Sequence, residues 1–302
     1  FIGYGKEKPK LLWPEDNKVA VSFVVNIEEG AELSISSGDN ENEHVYENNK
    51  SKILNNVPDL CMESHFEYGL RSGIWRIFDL FDKYKVKATF SCCSRSLEQS
   101  PWLIKEILSR EHEISAHGVK WISHAYLNRQ EEKDIIDNCY STILRLSGQP
   151  PMGWHTKSST SPHTRELLIN HGGFIYDSNA YNDDIPYVLE IKKKKIVIIP
   201  YSFDTNDMRF DGNSGFVNGV DFSNYCTEAL DQLLYETNDG SIRMISIGLH
   251  PRIIGRPGRI GGLEKFLKYI FKKQNLWIPK RIDIAKFCLN NCLLYTSPSP
   301  RD

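Results

Sequence analysis

The chain lacks several features that would point directly to a function. No apolar run approaches the roughly 18 to 20 residues a membrane-spanning helix needs. Neither charge sign dominates: the formal net charge is −2, so nothing electrostatic argues for nucleic acid as a partner. There is no G-x-G-x-x-G, no phosphate-binding loop and no internal repeat. The seven cysteines form no C-x-x-C pair. In the body of the chain they are Cys61, Cys92, Cys93, Cys139, Cys226 and Cys288. They read as reduced, structural thiols in a reducing compartment, which argues against a thiolate zinc site.

What is present is 302 residues, 40% hydrophobic and 25% charged, ample for a core in one large domain or two small ones. The chain begins at Phe1 rather than Met, so a targeting segment is left open; a cytoplasmic address is expected and a peroxisomal one stays open. The closing stretch "CLLYTSPSPRD", Cys292 to Asp302, is unlike the Lys/Ile/Asn-rich body before it. It reads as translated sequencing-adapter artefact, which makes 1–291 the expected domain.

"KVAVSFVV" (18–25) is a continuous β-branched run, the pattern of a strand buried on both faces. A polar stretch over about residues 31–60 follows, long enough to be a lid or disordered. "VKATFS", "EISAH", "FIYDS", "KIVIIPYS" and "RMISIGLH" predict further strands. "SGIWRIFDLFDKY", "PWLIKEILSR" and "NRQEEKDIIDNCYSTILRLSG" predict helices, the last with Asn128 and Glu131 as a capping box and Gly148 as its stop. "SPHTRELLINHGG", "GLEKFLKYIFKKQ" and "KRIDIAKFCL" predict three more. "KKKK" at 192–195 reads as a solvated turn before a strand. Strands alternating with helices imply a parallel α/β sheet, open or closed, and polar residues gather just after strands: Glu28, His117, Asp177, Asp204 and His250.

Several of these strand ends carry chemistry. Glu28 and Glu29 are adjacent carboxylates, an arrangement that raises one pKa and suits a general base. His117 ends a strand, and Trp121 stands four positions later, where an H-x-x-x-H metal motif would carry its second histidine. Asp204, Asn206, Asp207 and Arg209 offer donors and acceptors for a small polar substrate rich in amide groups. His250 is a candidate acid, with arginines behind it that could orient a carboxylate or an oxyanion. Singly, each signal is weak.

Their order and spacing are specific. "VSFVVNIEEGAE", "EYGLRSGIWR", "EISAHGVKWI", "GW", "YDSNAYNDDIPY", "PYSFDTNDMRF" and "IGLHPRIIGRPGR" together resemble the polysaccharide deacetylase (NodB-like) superfamily over nearly the whole chain. Within it, the nearer resemblance is to the metal-independent allantoinase branch. The resemblance implies a single-domain distorted parallel (β/α) barrel with its site at the C-terminal strand ends. Deacetylases of the superfamily bind a divalent metal through one Asp and two His. By correspondence Glu28 matches their catalytic base, Glu29 the metal carboxylate, His117 the first histidine and Trp121 the second. An indole N–H has no lone pair for a metal. The resemblance therefore implies no cofactor. If a metal is bound, Glu29 and His117 would hold zinc or another divalent ion, with His124 or His65 as a third ligand.

The function implied is hydrolysis of a carbon–nitrogen bond, opening the hydantoin ring of allantoin to give allantoate in purine degradation. Alternatives are a metal-dependent N-deacetylase of acetylated sugars and an inactive barrel that binds a metabolite or glycan. Glu28, with Glu29 and His117, is expected to activate water and His250 to protonate the leaving nitrogen. Arg252 or Arg256 would stabilise the oxyanion. Trp121 and Trp154, with Asp204, Asn206, Asp207 and Arg209, are the expected substrate contacts. The expected partner is a small molecule, allantoin or an N-acetylated sugar, with neither nucleic acid nor membrane, and the resemblance implies a homo-oligomer. The chain departs from the branch in "GWHTKSSTSP", where a common "GWYTGR" would be: His155 replaces Tyr, and the Arg is missing or displaced onto Lys157.

Overall fold

A computed structural model describes residues 3–45, 54–211 and 215–291. Nine strands form one curled sheet: β1 Val19–Ile27, β2 Thr89–Cys92, β3 Glu113–Ala116, β4 Gly153–Trp154, β5 Tyr176–Asp177, β6 Tyr187–Ile191, β7 Lys194–Ile198, β8 Arg243–Leu249 and β9 Leu276–Trp277. The order is β6-β7-β5-β4-β3-β2-β1-β8, with β9 on β1. Every pairing is parallel except β6–β7, a hairpin whose tight turn holds Lys192 and Lys193 at positive φ. The four lysines are thus that turn plus the first residues of β7.

The helices are α1 Leu60–Tyr68, α2 Ile74–Tyr84, α3 Ser94–Gln99, α4 Trp102–Ser109, α5 Arg129–Ser147, α6 Thr164–His171, α7 Gly219–Glu236, α8 Pro251–Ile254, α9 Pro257–Ile270 and α10 Arg281–Asn290. The capping box expected at Asn128 and Glu131 is present, and Gly148 ends α5 at φ 71°. The start expected for α6 is shifted: Ser161 and Pro162 form a turn, and the helix begins at Thr164.

Alternation along β1 sorts its side chains. Val21, Phe23, Val25 and Ile27 face outward into the main core, where Phe23 packs edge-on against Phe81 of α2 and Phe266 of α9. Ser22 and Asn26 take the opposite, inner face. That inner face is polar, and the buried Arg281 guanidinium crosses it to bind Ser178, Ser246 and the carbonyls of Ile199 and Pro200. The chain beyond β7 reaches β8, where Gly248 donates to the Thr205 carbonyl and Asn206 bridges Gly248. This irregular contact completes the distorted (β/α) barrel that the family resemblance implies and chooses the closed form over the open one.

One tier matters for function. Beyond the strand ends the parallel ladder runs one residue further. Cys93 donates to the Ile27 carbonyl, His117 to Cys92, His155 to Ala116, Ser178 to Trp154 and Ile199 to Asp177. Glu28 follows Ile27 directly, so Glu28, His117 and His155 share one level at the C-terminal rim.

Candidate active site

Glu28 is the centre of the cluster and is buried at 1% exposure. Its Oε1 lies 3.4 Å from His117 Nε2 and 3.3 Å from His250 Nε2. Its Oε2 accepts from Arg252 Nη1 at 2.6 Å. Burial by itself would raise this carboxyl. The charges of His250 and Arg252 and the hydrogen bonds from His117 and His250 overcome that and hold it well below the usual carboxylate range.

Each partner is fixed from behind. His117 Nδ1 meets the His155 carbonyl at 2.8 Å, so this nitrogen carries a hydrogen, and the contact turns Nε2 toward Glu28. His250 Nδ1 sits 2.6 Å from Asp207 Oδ1. The other Asp207 oxygen accepts the backbone N–H of His250 at 2.7 Å and of Ile254 at 3.1 Å, pinning the one-turn helix α8. Burial would lower the His250 pKa, but the Glu28 and Asp207 carboxylates reverse this and raise it to about 10. His250 is therefore an imidazolium at neutral pH.

Arg252 reaches Glu28 because α8 lies directly on the π-helical turn Gly69–Gly73. A Cβ at Gly73 or at Gly255 would overlap the Pro251 carbonyl. The guanidinium also covers the Phe66 ring at 4.3 Å and lies 5.2 Å from the Trp121 ring. Trp121 is buried with Ala31, Val45, Met62, Phe66 and Cys93. Lys157 Nζ stands 3.7 Å over its indole and binds both oxygens of Glu43 at 2.9 Å. The polar stretch after β1 is thereby tied over the rim as far as Val45; residues 46–53 lie outside the described part, as does the expected tail 292–302.

Glu29 does not join Glu28. Its Oε2 accepts the Glu28 N–H at 3.2 Å, and its carboxyl packs where a Cβ on Gly69 would be. Burial pushes its pKa up, aided by the Glu28 charge and opposed by Arg252, to about 7. The adjacent carboxylates do split in pKa as expected, but the raised one is Glu29 rather than Glu28.

The structure brings together Glu28, His117, His250, Asp207, Arg252 and Trp121. It places other expected residues elsewhere. Trp154 is fully buried in the main core, with its indole N–H on Thr156, because residue parity on β4 turns it outward. Arg209 stacks on Phe216 and Tyr225 and donates to the carbonyl of the exposed Asp204, on the α7 side of the crossing segment. Arg256 lies over Tyr68 and contacts His65 Nδ1. Asp177 binds Arg165. Asn206 is inside the barrel, beside the Tyr201 hydroxyl that also accepts from Asn26. Asn26 was missed in the sequence, although it stands two positions before Glu28 and so on the same face.

The profile of a polysaccharide deacetylase family matches residues 55–172. A putative polysaccharide deacetylase of Schizosaccharomyces pombe is 35% identical over 300 residues, 93% of each chain. This chain belongs to the polysaccharide deacetylase family. Among solved structures, a probable polysaccharide deacetylase from Pseudomonas aeruginosa PAO1 superposes with TM-score 0.92 at 38% identity, covering 97% of this chain and 98% of that one. The Puue allantoinase superposes with TM-score 0.92 at 37% identity and the same coverage.

Within this family a divalent metal is the natural question, and the residues here do not fit one. Trp121 has no lone pair to give. Glu29 accepts from the Glu28 N–H, and burial raises its pKa to about 7, away from the fully ionised state a metal ligand needs. Glu28 already carries the fixed charge of Arg252. His124 is committed to Glu132, and His65 contacts Arg256. Among the described residues, no group of three or more His, Cys, Asp or Glu side chains is arranged to hold a metal ion.

Proposed function

We propose that this family member hydrolyses a carbon–nitrogen bond of a cyclic amide without a metal, and that its substrate is allantoin, opened to allantoate. The observation that carries the reading is Glu28, the expected base, held by two imidazoles and a guanidinium, with the His117 imidazole turned onto it and an indole, Trp121, at the position of the second metal histidine. The likeness to the Puue allantoinase, 37% identical over 97% of this chain, supports the substrate.

The mechanism follows from the charges. Glu28 takes a proton from water, and the water oxygen bonds to the ring carbonyl carbon. Arg252 orients Glu28, and its position beside Trp121 lets it face the developing oxyanion as well. The C–N bond then breaks as His250 Nε2 gives its proton to the leaving nitrogen. The two transfers assist each other. Glu28 is a weak base while His250 is charged, and losing the His250 proton removes the charge that holds the Glu28 pKa down. Asp207 keeps the Nδ1 hydrogen in place throughout.

The test is to treat the full-length protein with a chelator, remove the chelator, and follow conversion of allantoin to allantoate. Turnover by the treated protein is the expected result. Activity that vanishes and returns only with zinc or cobalt would overturn the metal-free mechanism. Release of acetate from an N-acetylglucosamine oligomer, with allantoin untouched, would replace the substrate with the one the relatives' names suggest.

A further inference from the structure

His155 belongs to the same tier as Glu28 and His117, yet the mechanism above uses only its backbone carbonyl. Its ring stacks on His117 with centroids 5.0 Å apart at 18° and tilts against Tyr201 at 4.6 Å. Its Nε2 lies 3.3 Å from the Tyr181 hydroxyl. Tyr181 in turn stacks on the exposed Phe203, so a line of rings runs from the surface to Glu28. The other ring nitrogen, Nδ1, is buried and has no hydrogen-bond partner among the described residues. His155 is only 8% exposed, and an orphaned polar atom at such depth is costly unless something completes it.

The ring is neutral. Burial pushes its pKa down, and the charges of His117, Arg281 and His250 push the same way, well below the usual histidine range. A neutral imidazole has one donor and one acceptor. We assign the hydrogen to Nε2, facing the oxygen of the Tyr181 hydroxyl, which leaves the lone pair on Nδ1. The rest of the site is rich in donors, Arg252 and His250 above all, and the Glu28 and Asp207 carboxylates are already engaged by them.

We infer that His155 Nδ1 accepts an amide N–H of the substrate, making His155 a specificity-determining residue that orients the amide beside Glu28. The inference rests on reading the site as a carbon–nitrogen hydrolase. It does not depend on which amide is opened, since allantoin and an N-acetylated sugar both carry an amide N–H.

The experiment is NMR of isotope-labelled histidine rings in the full-length protein, titrated with hydantoin and then with N-acetylglucosamine. The His155 signals are assigned by their loss in His155→Phe. Nδ1 is expected to resonate as a bare ring nitrogen, to move upfield when one of these amides is added, and to stay still with the fully N-methylated counterpart. In turnover, His155→Phe is expected to raise KM roughly 10-fold with kcat little changed. The same variant is expected to lose discrimination against the N-methylated substrate. An Nδ1 protonated in the free protein, or unmoved by both amides, overturns the inference. So does a variant that loses kcat and thermal stability together with KM unchanged. If the wild type turns over neither substrate while Nδ1 moves, the hydrolase reading falls and His155 stands as an amide-binding group.

Discussion

His250 Nδ1 lies 2.6 Å from Asp207 Oδ1, while the second Asp207 oxygen holds the His250 backbone N–H. One carboxylate thus sets both the charge and the position of the imidazole. Asp207→Asn keeps the shape and removes the charge. Turnover should fall by roughly 100-fold, and the alkaline limb of kcat/KM should move to lower pH. Because the folded pKa of His250 is raised to about 10, its stabilising contribution is full below its unfolded pKa of about 6.5. It is lost as pH rises through 10. Melting temperatures of wild type and variant should therefore differ most at acid to neutral pH and converge at the alkaline end.

Glu28→Gln removes the proposed base and the shared counter-charge of His250 and Arg252. Turnover should drop by about 1,000-fold. Stability should drop too, by about 3–5 kcal/mol, because Arg252 stays fully buried without its carboxylate. Kinetics and thermal melts read both. Near-normal turnover would remove Glu28 from the role of base.

Glu29 has the opposite linkage to an ordinary carboxylate. Its folded pKa is raised to about 7, so the folded state holds its proton more tightly than the unfolded one. The stability this confers is present below the unfolded pKa of about 4.5 and lost as pH rises through 7, an effect on the order of 3 kcal/mol. Glu29→Gln should flatten that slope and match or exceed the wild type above neutrality. A wild-type melting profile parallel to that of the variant between these pH values would refute the assignment.

Gly73→Ala tests how Arg252 is delivered. The added methyl would overlap the Pro251 carbonyl and push α8 away from the π-helical turn. The expected cost is about 1–3 kcal/mol in stability, with a loss of kcat larger than that loss of folding predicts. Unchanged kcat in folded protein would show that Arg252 keeps its seat on Glu28 by other contacts.

Much of the site was legible one residue at a time. Glu28, His117 and His250 each end a buried strand, and parallel strands in a barrel bring their C-terminal ends together. Asp207 and Arg252 were legible as residue types but not as partners, since only folding brings residues more than forty positions apart within hydrogen-bond distance. Trp154 and Arg209 misled for a related reason. A two-residue strand such as β4 shows no alternation from which to tell inner from outer face. Helices α1, α3, α7 and α8 and the short strands β4, β6 and β9 were not foreseen, because their patterns are weak or too brief.

The sequence by itself determined the class of fold and the absence of a second imidazole at Trp121, because strand and helix periodicity and side-chain chemistry are local properties. The tertiary structure decided which carboxylate of the Glu28–Glu29 pair is ionised. The pair are neighbours of the same type, so their difference lies wholly in what surrounds them: two imidazoles and a guanidinium around one, and for the other a buried place against Gly69.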